Sequence, residues 1–401
     1  MDISRTLKLL AVTSALVFPF AAMAEYKVLV GVDPADEVGK QNLAVATSPT
    51  PSLTAAMGAQ VLLRQTSDLT DVMRASRTQE NDIVIGPSHV AASAISHNYQ
   101  LIARDNRNAQ FVLLVRKDIE KIEQLAGRRL YLTQQDSVRA YLAKGLLNEA
   151  GFDLTTFKQI VFGKTSGAGM LALTSNLADV TVADQEEAQA WMKANPNVAR
   201  ILKSTRQVPG GMAMMVRKTM PDGERKNLLK WIASPEAALA GFGKLQVATA
   251  TDDEQYRYIA SLGILTPASL EGVTRVASEE VAKLIAAGAV AVDTRTAKEF
   301  DQEHIAGAVH APYIERSLKD RNYDPRLDDF SALGNLSLDK PLIFFCNGPE
   351  CWKSYKASKM AQAKGAKQVY WYRGGMPEWR EKSMPVAKNI RAVAATTVAS
   401  K

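Results

Sequence analysis

FFCNGPECWKS (residues 344–354) holds Cys346 and Cys351, the only two cysteines among 401 residues. An apolar run, Leu342-Ile343-Phe344-Phe345, leads into it, and WKSYKASKMAQAKG, with a helical pattern, leads out. Cys346 therefore ends a predicted strand, and a predicted helix starts shortly after it. In such a strand–loop–helix turn the loop amides and the helix N-terminus converge on one spot. They cradle an anion and lower the pKa of a thiol placed there. Gly348 lets the backbone bend, and Pro349 stiffens the loop while removing one amide from the cradle. Three readings are open. A disulfide staple would close a very short loop and remove little unfolded-state entropy. A pair of buried thiols would be inert. A reactive thiolate would be a nucleophile. The place at a strand end, ahead of a helix, favours the third.

The totals set the frame. The length suggests two or three domains. With 46% hydrophobic and 23% charged residues the composition is ordinary for a soluble globular chain. The net charge of +7 is scattered along the chain rather than massed, which argues against nucleic-acid binding. The four histidines, His89, His97, His304 and His310, do not fall at metal-ligand spacing with the cysteines, so no metal site is expected. Residues 1–24 combine Arg5 and Lys8, the apolar LLAVTSALVFPF and Ala22-Met23-Ala24. They are read as a signal peptide cleaved after Ala24. Pro19 and the short apolar run argue against a spanning helix. The expected location is periplasmic, an oxidising compartment in which the two cysteines can pair.

From Tyr26 onward, short β-rich runs alternate with longer helical ones, which implies βαβ units. The expected division is a domain over 25–240, a linker or helical connection over 241–272, a second α/β domain over 273–385 and a flexible tail over 386–401.

Residues 273–385 resemble a single rhodanese (sulfurtransferase) domain. Val292-Asp293-Thr294-Arg295 with Glu299-Phe300 and HIAGAVHAP (304–312) is similar to the family's opening signature. The cysteine loop is the second landmark, and Gly374-Gly375-Met376-Pro377-Glu378-Trp379 is similar to its closing motif. The resemblance implies sulfane-sulfur transfer through a persulfide on Cys346, held by the amides of Asn347, Gly348, Pro349, Glu350 and Cys351 as far as each has one. It implies a small sulfur-containing anion as donor, a thiol acceptor or periplasmic reductant, and no metal or organic cofactor. Asp293, Arg295, Glu299 and His304 match positions that brace the fold. Glu350 is expected to set a negative charge where an anionic donor approaches, with Lys353 as an offset. Cys351, followed by Trp352, resembles a subgroup of exported bacterial rhodaneses. It supplies a second thiol that can expel the sulfur as sulfide or store the pair as a disulfide.

Residues 25 to about 235 resemble a type 2 periplasmic solute-binding protein of the phosphonate group. The motifs are VLVGVDP (28–34), NDIVIGPSHVAASA (81–94), FVLLVRKD (111–118), LAGRRLYLTQQDSVRAYL (125–142), LADVTVAD (177–184) and VPGGMAMMVRK (208–218). The resemblance implies two α/β lobes closing on a small anion. By position, Ser88, Ser137, Arg139, Thr165, Ser166 and Asp184 are the expected ligand residues, although each Ser or Thr can equally be a helix N-cap. Asp136-Ser137-Val138-Arg139 stands where the group carries Ser-Thr-Ser-Gly, so Asp136 is expected to oppose a phosphonate and Arg139 to help. His89 is read as a surface residue. The expected architecture is thus a two-lobed binding domain followed by a small rhodanese-type domain with a parallel sheet. Three functions fit: a sulfurtransferase, a receptor for an ABC-type transporter or sensor in the membrane with an accessory rhodanese domain, and a thiol–disulfide redox protein.

Overall fold

A computed structural model describes residues 25–36, 44 and 47–389. The expected signal peptide lies outside the described residues. Two sheets build the front body. One has six strands in the order Leu245–Val247, Tyr99–Asp105, Met212–Arg217, Ile83–Pro87, Glu25–Gly31, Gln60–Thr66. The other has five, in the order Ala199–Ser204, Phe111–Arg116, Val180–Asp184, Arg129–Leu132, Gln159–Phe162. Both are mixed rather than purely parallel. Met212–Arg217 runs antiparallel to both of its neighbours, and Phe111–Arg116 does the same in the second sheet. The cause is the lobe crossing. The chain passes from one sheet to the other at Asn108–Ala109 and returns at Val208–Pro209, and these two segments pair antiparallel. Strands entering directly from the other lobe have no crossover helix to restore parallel direction.

The stretch 241–272, expected as a connection, is partly built into the front body. Leu245–Val247 extends the six-stranded sheet. Helix Ala250–Ser261 buries Tyr256 and Ile259 in the same apolar cluster as Leu29, Val84 and Met215. Arg104 and Asp252 form a buried ion pair, Nε–Oδ1 2.5 Å, that ties this helix to the sheet.

The C-terminal body holds a five-stranded, wholly parallel sheet in the order Thr274–Arg275, Val369–Tyr372, Leu342–Phe345, Val290–Asp293, Val309–His310. Its central strand explains the uninterrupted apolar run before the cysteines. Ile343 and Phe345 face one core with Met376 and Trp379, while Leu342 and Phe344 face another with Phe330 and Ala357. A strand covered on both faces needs no polar alternation. The expected tail after Pro385 begins instead with a two-residue strand: Val386–Ala387 pairs antiparallel with His304–Ile305.

Gly375, at the start of helix Gly375–Glu381, locks the cysteine loop. Its φ of +57° is left-handed, and a Cβ there would lie 2.2 Å from the Cys346 carbonyl oxygen and 2.7 Å from the Gly348 nitrogen. Met376 N–H donates to that same carbonyl at 2.9 Å. Gly375→Ala should therefore destabilise the C-terminal body by about 2–5 kcal/mol, combining left-handed strain with overpacking. Denaturant unfolding followed by tryptophan fluorescence measures it; an unchanged midpoint would contradict this packing.

Candidate functional site

Cys346 stands at the carboxyl end of the central parallel strand, 2% exposed. Open α/β sheets place their functional crevice at such strand ends. Cys351 is the N-cap residue of helix Trp352–Ala363. The two sulfurs are bonded, so the loop between them is closed. The helix N-terminus brings partial positive charge beside the sulfur pair, which favours a thiolate once the bond is reduced.

Each loop residue has a distinct anchor. Asn347 Nδ2 donates to Glu299 Oε1 at 2.6 Å. Gly348 has φ +87°, and a Cβ there would come within 3.1 Å of His97 Cε1, so front-body packing adds to the backbone demand for glycine. The Pro349 carbonyl accepts from Thr266 N–H at 2.8 Å and from its hydroxyl at 2.6 Å. Arg373 in turn donates to the Thr266 carbonyl at 2.6 Å.

Glu350 corrects the sequence expectation. Its carboxylate is not free to oppose an incoming donor. It is turned into the front body, where it meets Arg77 Nη1 at 2.6 Å, Ser93 Oγ at 2.5 Å and His97 Nε2 at 3.1 Å. Burial alone would raise its carboxyl pKa, but Arg77, His97 and Ser93 outweigh that and hold it below the usual glutamate range. Its charge is thus committed. Lys353, the expected offset, is half-buried in the first turn of helix Trp352–Ala363.

Asp293 and Arg295 lie below the loop as a fully buried pair, 2.6 Å between Nη2 and Oδ2, and Arg295 also donates to the Glu303 carbonyl at 2.6 Å. His304 bonds the Phe300 carbonyl through Nδ1 at 2.7 Å and stacks on the Phe300 ring. Glu299 caps its own helix through Thr296 and reaches Asn347.

In the front body a cleft of about 420 Å³ opens between the lobes. Ser88, Arg139 and Asp184 line it; Ser137, Thr165 and Ser166 do not. Ser137 caps helix Val138–Asn148 and donates to the Gln134 carbonyl, and Thr165 caps helix Ser166–Thr174. Ser166 is buried at the start of that helix. Asp184 also caps a helix, accepting from Glu186 and Glu187 N–H. Arg139 is buried between Asp33 at 3.8 Å and Glu187 at 3.7 Å. With Asp33, Asp36, Asp184, Glu186 and Glu187 against Arg107 and Arg139, the walls carry more carboxylate than cation. Burial pushes the Glu187 carboxyl upward in spite of Arg139.

Two further expectations change. Asp136 does not oppose a cleft ligand: it bonds Lys319 Nζ of the C-terminal body at 2.6 Å, together with Thr70 and Tyr141. His89 is not at the surface but fully buried, with its imidazole pKa lowered by burial. Sequence reasoning missed Arg77, Ser93, His97 and Lys319 altogether. Nothing in their local pattern marks a partner so far along the chain.

Arg77→Ala leaves Glu350 buried without its guanidinium and should cost about 3 kcal/mol. Glu350 also makes stability depend on pH. Its folded pKa is depressed, so its contribution is complete above the ordinary glutamate value of 4.5 and is lost as pH falls below it. Glu350→Gln should flatten that acid limb. Equilibrium unfolding between about pH 3 and pH 7 measures both effects around that value.

Comparison with known proteins places these bodies. The family model for the periplasmic substrate-binding protein of phosphonate ABC transporters matches residues 50–256, and that for rhodanese-like domains matches residues 277–382. No curated protein matches the chain. Among solved structures, PhnD1 from Prochlorococcus marinus in complex with methylphosphonate is 17% identical, covering 59% of this chain and 97% of its own, with a TM-score of 0.46. A binding-protein component of an ABC phosphonate transporter from Pseudomonas aeruginosa is 16% identical, covering 66% and 94%, with a TM-score of 0.45. A Xanthomonas citri protein bound to chloride ion is 14% identical, covering 59% and 96%, with a TM-score of 0.47. The chain belongs to the phosphonate-type periplasmic substrate-binding proteins and carries a rhodanese-like domain behind that unit.

Proposed function

We propose that the protein is an exported sulfurtransferase that carries sulfane sulfur on Cys346 and is fused to a solute-binding domain. The observation that carries this reading is the placement of Cys346 at the end of the central strand, bonded to Cys351 at the neighbouring helix N-terminus. A rhodanese-like domain supports sulfurtransferase-type activity in general. The commitment of Glu350 to Arg77 removes the charge that would have repelled an anionic donor.

The chemistry follows from the two thiols. A dithiol reductant opens the disulfide, taking up its oxidation. The Cys346 thiolate then attacks the outer sulfur of a donor such as thiosulfate. The donor S–S bond breaks, sulfite leaves with the electron pair, and a persulfide remains on Cys346. An acceptor thiolate attacks the outer sulfur, takes it and restores the Cys346 thiolate. Alternatively the Cys351 thiolate attacks the Cys346 sulfur; hydrosulfide leaves and the disulfide returns. The observed disulfide favours this second exit as the resting step.

The front domain supplies solute binding and, as in its family, a membrane partner of ABC type or a sensor. Residues 1–24 would direct export, with cleavage after Ala24. No described helix is long and apolar enough to cross a membrane.

Intact mass after reduction and incubation with donor tests the chemistry. The wild type should gain one sulfur only transiently and then return to the disulfide. Cys346→Ser should gain none. Cys351→Ser should hold the added sulfur much longer, because internal expulsion is lost. A Cys351→Ser chain that gains nothing from thiosulfate, polysulfide or a thiol persulfide would sink the proposal.

A further inference from the structure

A pocket of about 300 Å³ lies where the two bodies meet, and it shares no lining residue with the interlobe cleft. Helix Val138–Asn148 of the front body contributes Lys144 to it; the C-terminal body contributes Lys319, Arg321 and Arg373. Asp320 is the one carboxylate on its wall. The volume stands at the low end of the range, about 300–1,000 Å³, of sites that enclose organic ligands, so it suits a small occupant. The excess of cation is the reverse of the interlobe cleft, whose walls carry more carboxylate than cation.

The counter-ions do not balance. Lys319 is spent on Asp136. Lys144 is 3% exposed, and its one hydrogen bond goes to a neutral acceptor, the Lys319 carbonyl, at 2.6 Å. Arg373 likewise gives Nε to the Thr266 hydroxyl at 3.1 Å and Nη2 to the Thr266 carbonyl at 2.6 Å. Among the described residues neither cation has a carboxylate oxygen within 4.0 Å. The other buried cations, Arg104, Arg139, Arg295 and Lys356, each have one within that distance. A charge taken out of water is ordinarily paired, so Lys144 is the exception in this molecule. Burial lowers its pKa to about 8, which still leaves most of the charge in place at neutral pH. Burial, with the Arg275 charge, lowers Arg373 to about 10. Both shifts are the mark of cations held without an anion beside them.

We infer that this pocket is an oxyanion site of the fused chain, built by Lys144 of the solute-binding domain with Arg321 and Arg373 of the rhodanese-like domain, and that it takes a free, doubly charged oxyanion of the sulfate or phosphate kind. Three cations against one carboxylate leave an excess that a single negative charge cannot offset, and a compact dianion meets it within the volume present. The site exists only in the docked chain, because its cations come from both bodies. An occupant on Arg373 also stands close to the cysteine loop in the contact order: Arg373 holds Thr266, and Thr266 holds the Pro349 carbonyl. The inference is independent of the sulfurtransferase reading, since no step of that chemistry uses this pocket.

The test is titration calorimetry on the full chain with sodium sulfate and, separately, sodium phosphate, each against sodium chloride at matched ionic strength. Calorimetry is preferred to a melting shift because sulfate and phosphate stabilise folded proteins generally by exclusion from their surface. One equivalent of sulfate or phosphate should bind and chloride should not; whichever of the two binds more tightly names the source. Lys144→Met removes the buried charge while keeping an unbranched side chain, and should weaken that binding about tenfold, as expected for one charge-assisted contact. Arg321→Ala removes an exposed cation with little cost to the fold and should weaken it about threefold. Far-UV circular dichroism checks that each variant is folded, and if Lys144→Met is not, Arg321→Ala decides alone. If neither anion binds beyond chloride, or if the folded variants keep the wild-type affinity so that the anion sits elsewhere, the inference is overturned.

Discussion

The buried carboxylate of Glu350 is the contact on which the arrangement of this protein turns. A charged group removed from water is tolerated only when paired and hydrogen-bonded. Glu350 meets that demand with Arg77, Ser93 and His97, which lie 273, 257 and 253 positions away in sequence. Separating the two bodies without solvating Glu350 would strand a buried charge. A pair of this kind adds little net stability over an apolar contact, because desolvation offsets the Coulomb gain. What it supplies here is a fixed docking geometry: only one placement of the cysteine loop satisfies all three partners at once. Gly348 packing against His97 and the Thr266 grip on Pro349 reinforce that placement from two other directions.

The same geometry gives the cleft and the sulfur loop common supports. Helix Ser88–Ile95 begins with Ser88 in the interlobe cleft, and Ser93 on it, with His97 just beyond its end, holds Glu350. Helix Val138–Asn148 carries Arg139 at the cleft, while Lys144 on the same helix donates to the Lys319 carbonyl of the C-terminal body at 2.6 Å. Between the two regions His89 is fully buried, and burial lowers the pKa of its imidazole. Rigid helices anchored at both ends are the elements through which two sites share a conformational equilibrium, provided a ligand binds one arrangement better than the other.

Much of the fold could be read from local pattern. The apolar run Leu342–Phe345, the glycines that end helices and the ordered rhodanese landmarks all act over short distances, and all three are present in the structure as a doubly covered strand and its neighbours. The strand Tyr99–Asp105 carries a weaker local signal. It follows directly on the turn after helix Ser88–Ile95 and ends in Arg104-Asp105, whose charges are buried against Asp252 and Arg107 rather than exposed. Long-range pairing set the other limit. Three of the six expected cleft residues lie away from the cleft, because a hydroxyl at a helix start is used by its own helix as readily as by a ligand.

The departures from family pattern turn out to be the informative positions. Asp136 stands where the phosphonate group carries small hydroxyl residues, and Glu350 adds a carboxylate to a loop built to receive anions. Read within one domain, each looks like a charge set against its own ligand. Across the two domains, Asp136 holds Lys319 and Glu350 holds Arg77, one tie contributed by each body. Each carboxylate thus gives up a role in its own domain and gains a cation in the other. A free solute-binding protein or a free rhodanese would have no cation to offset either one, and both substitutions would be a cost in desolvation or ligand repulsion. In a fused chain the same substitutions become the docking contacts, so a charge that contradicts one domain's chemistry is evidence for where the other domain sits.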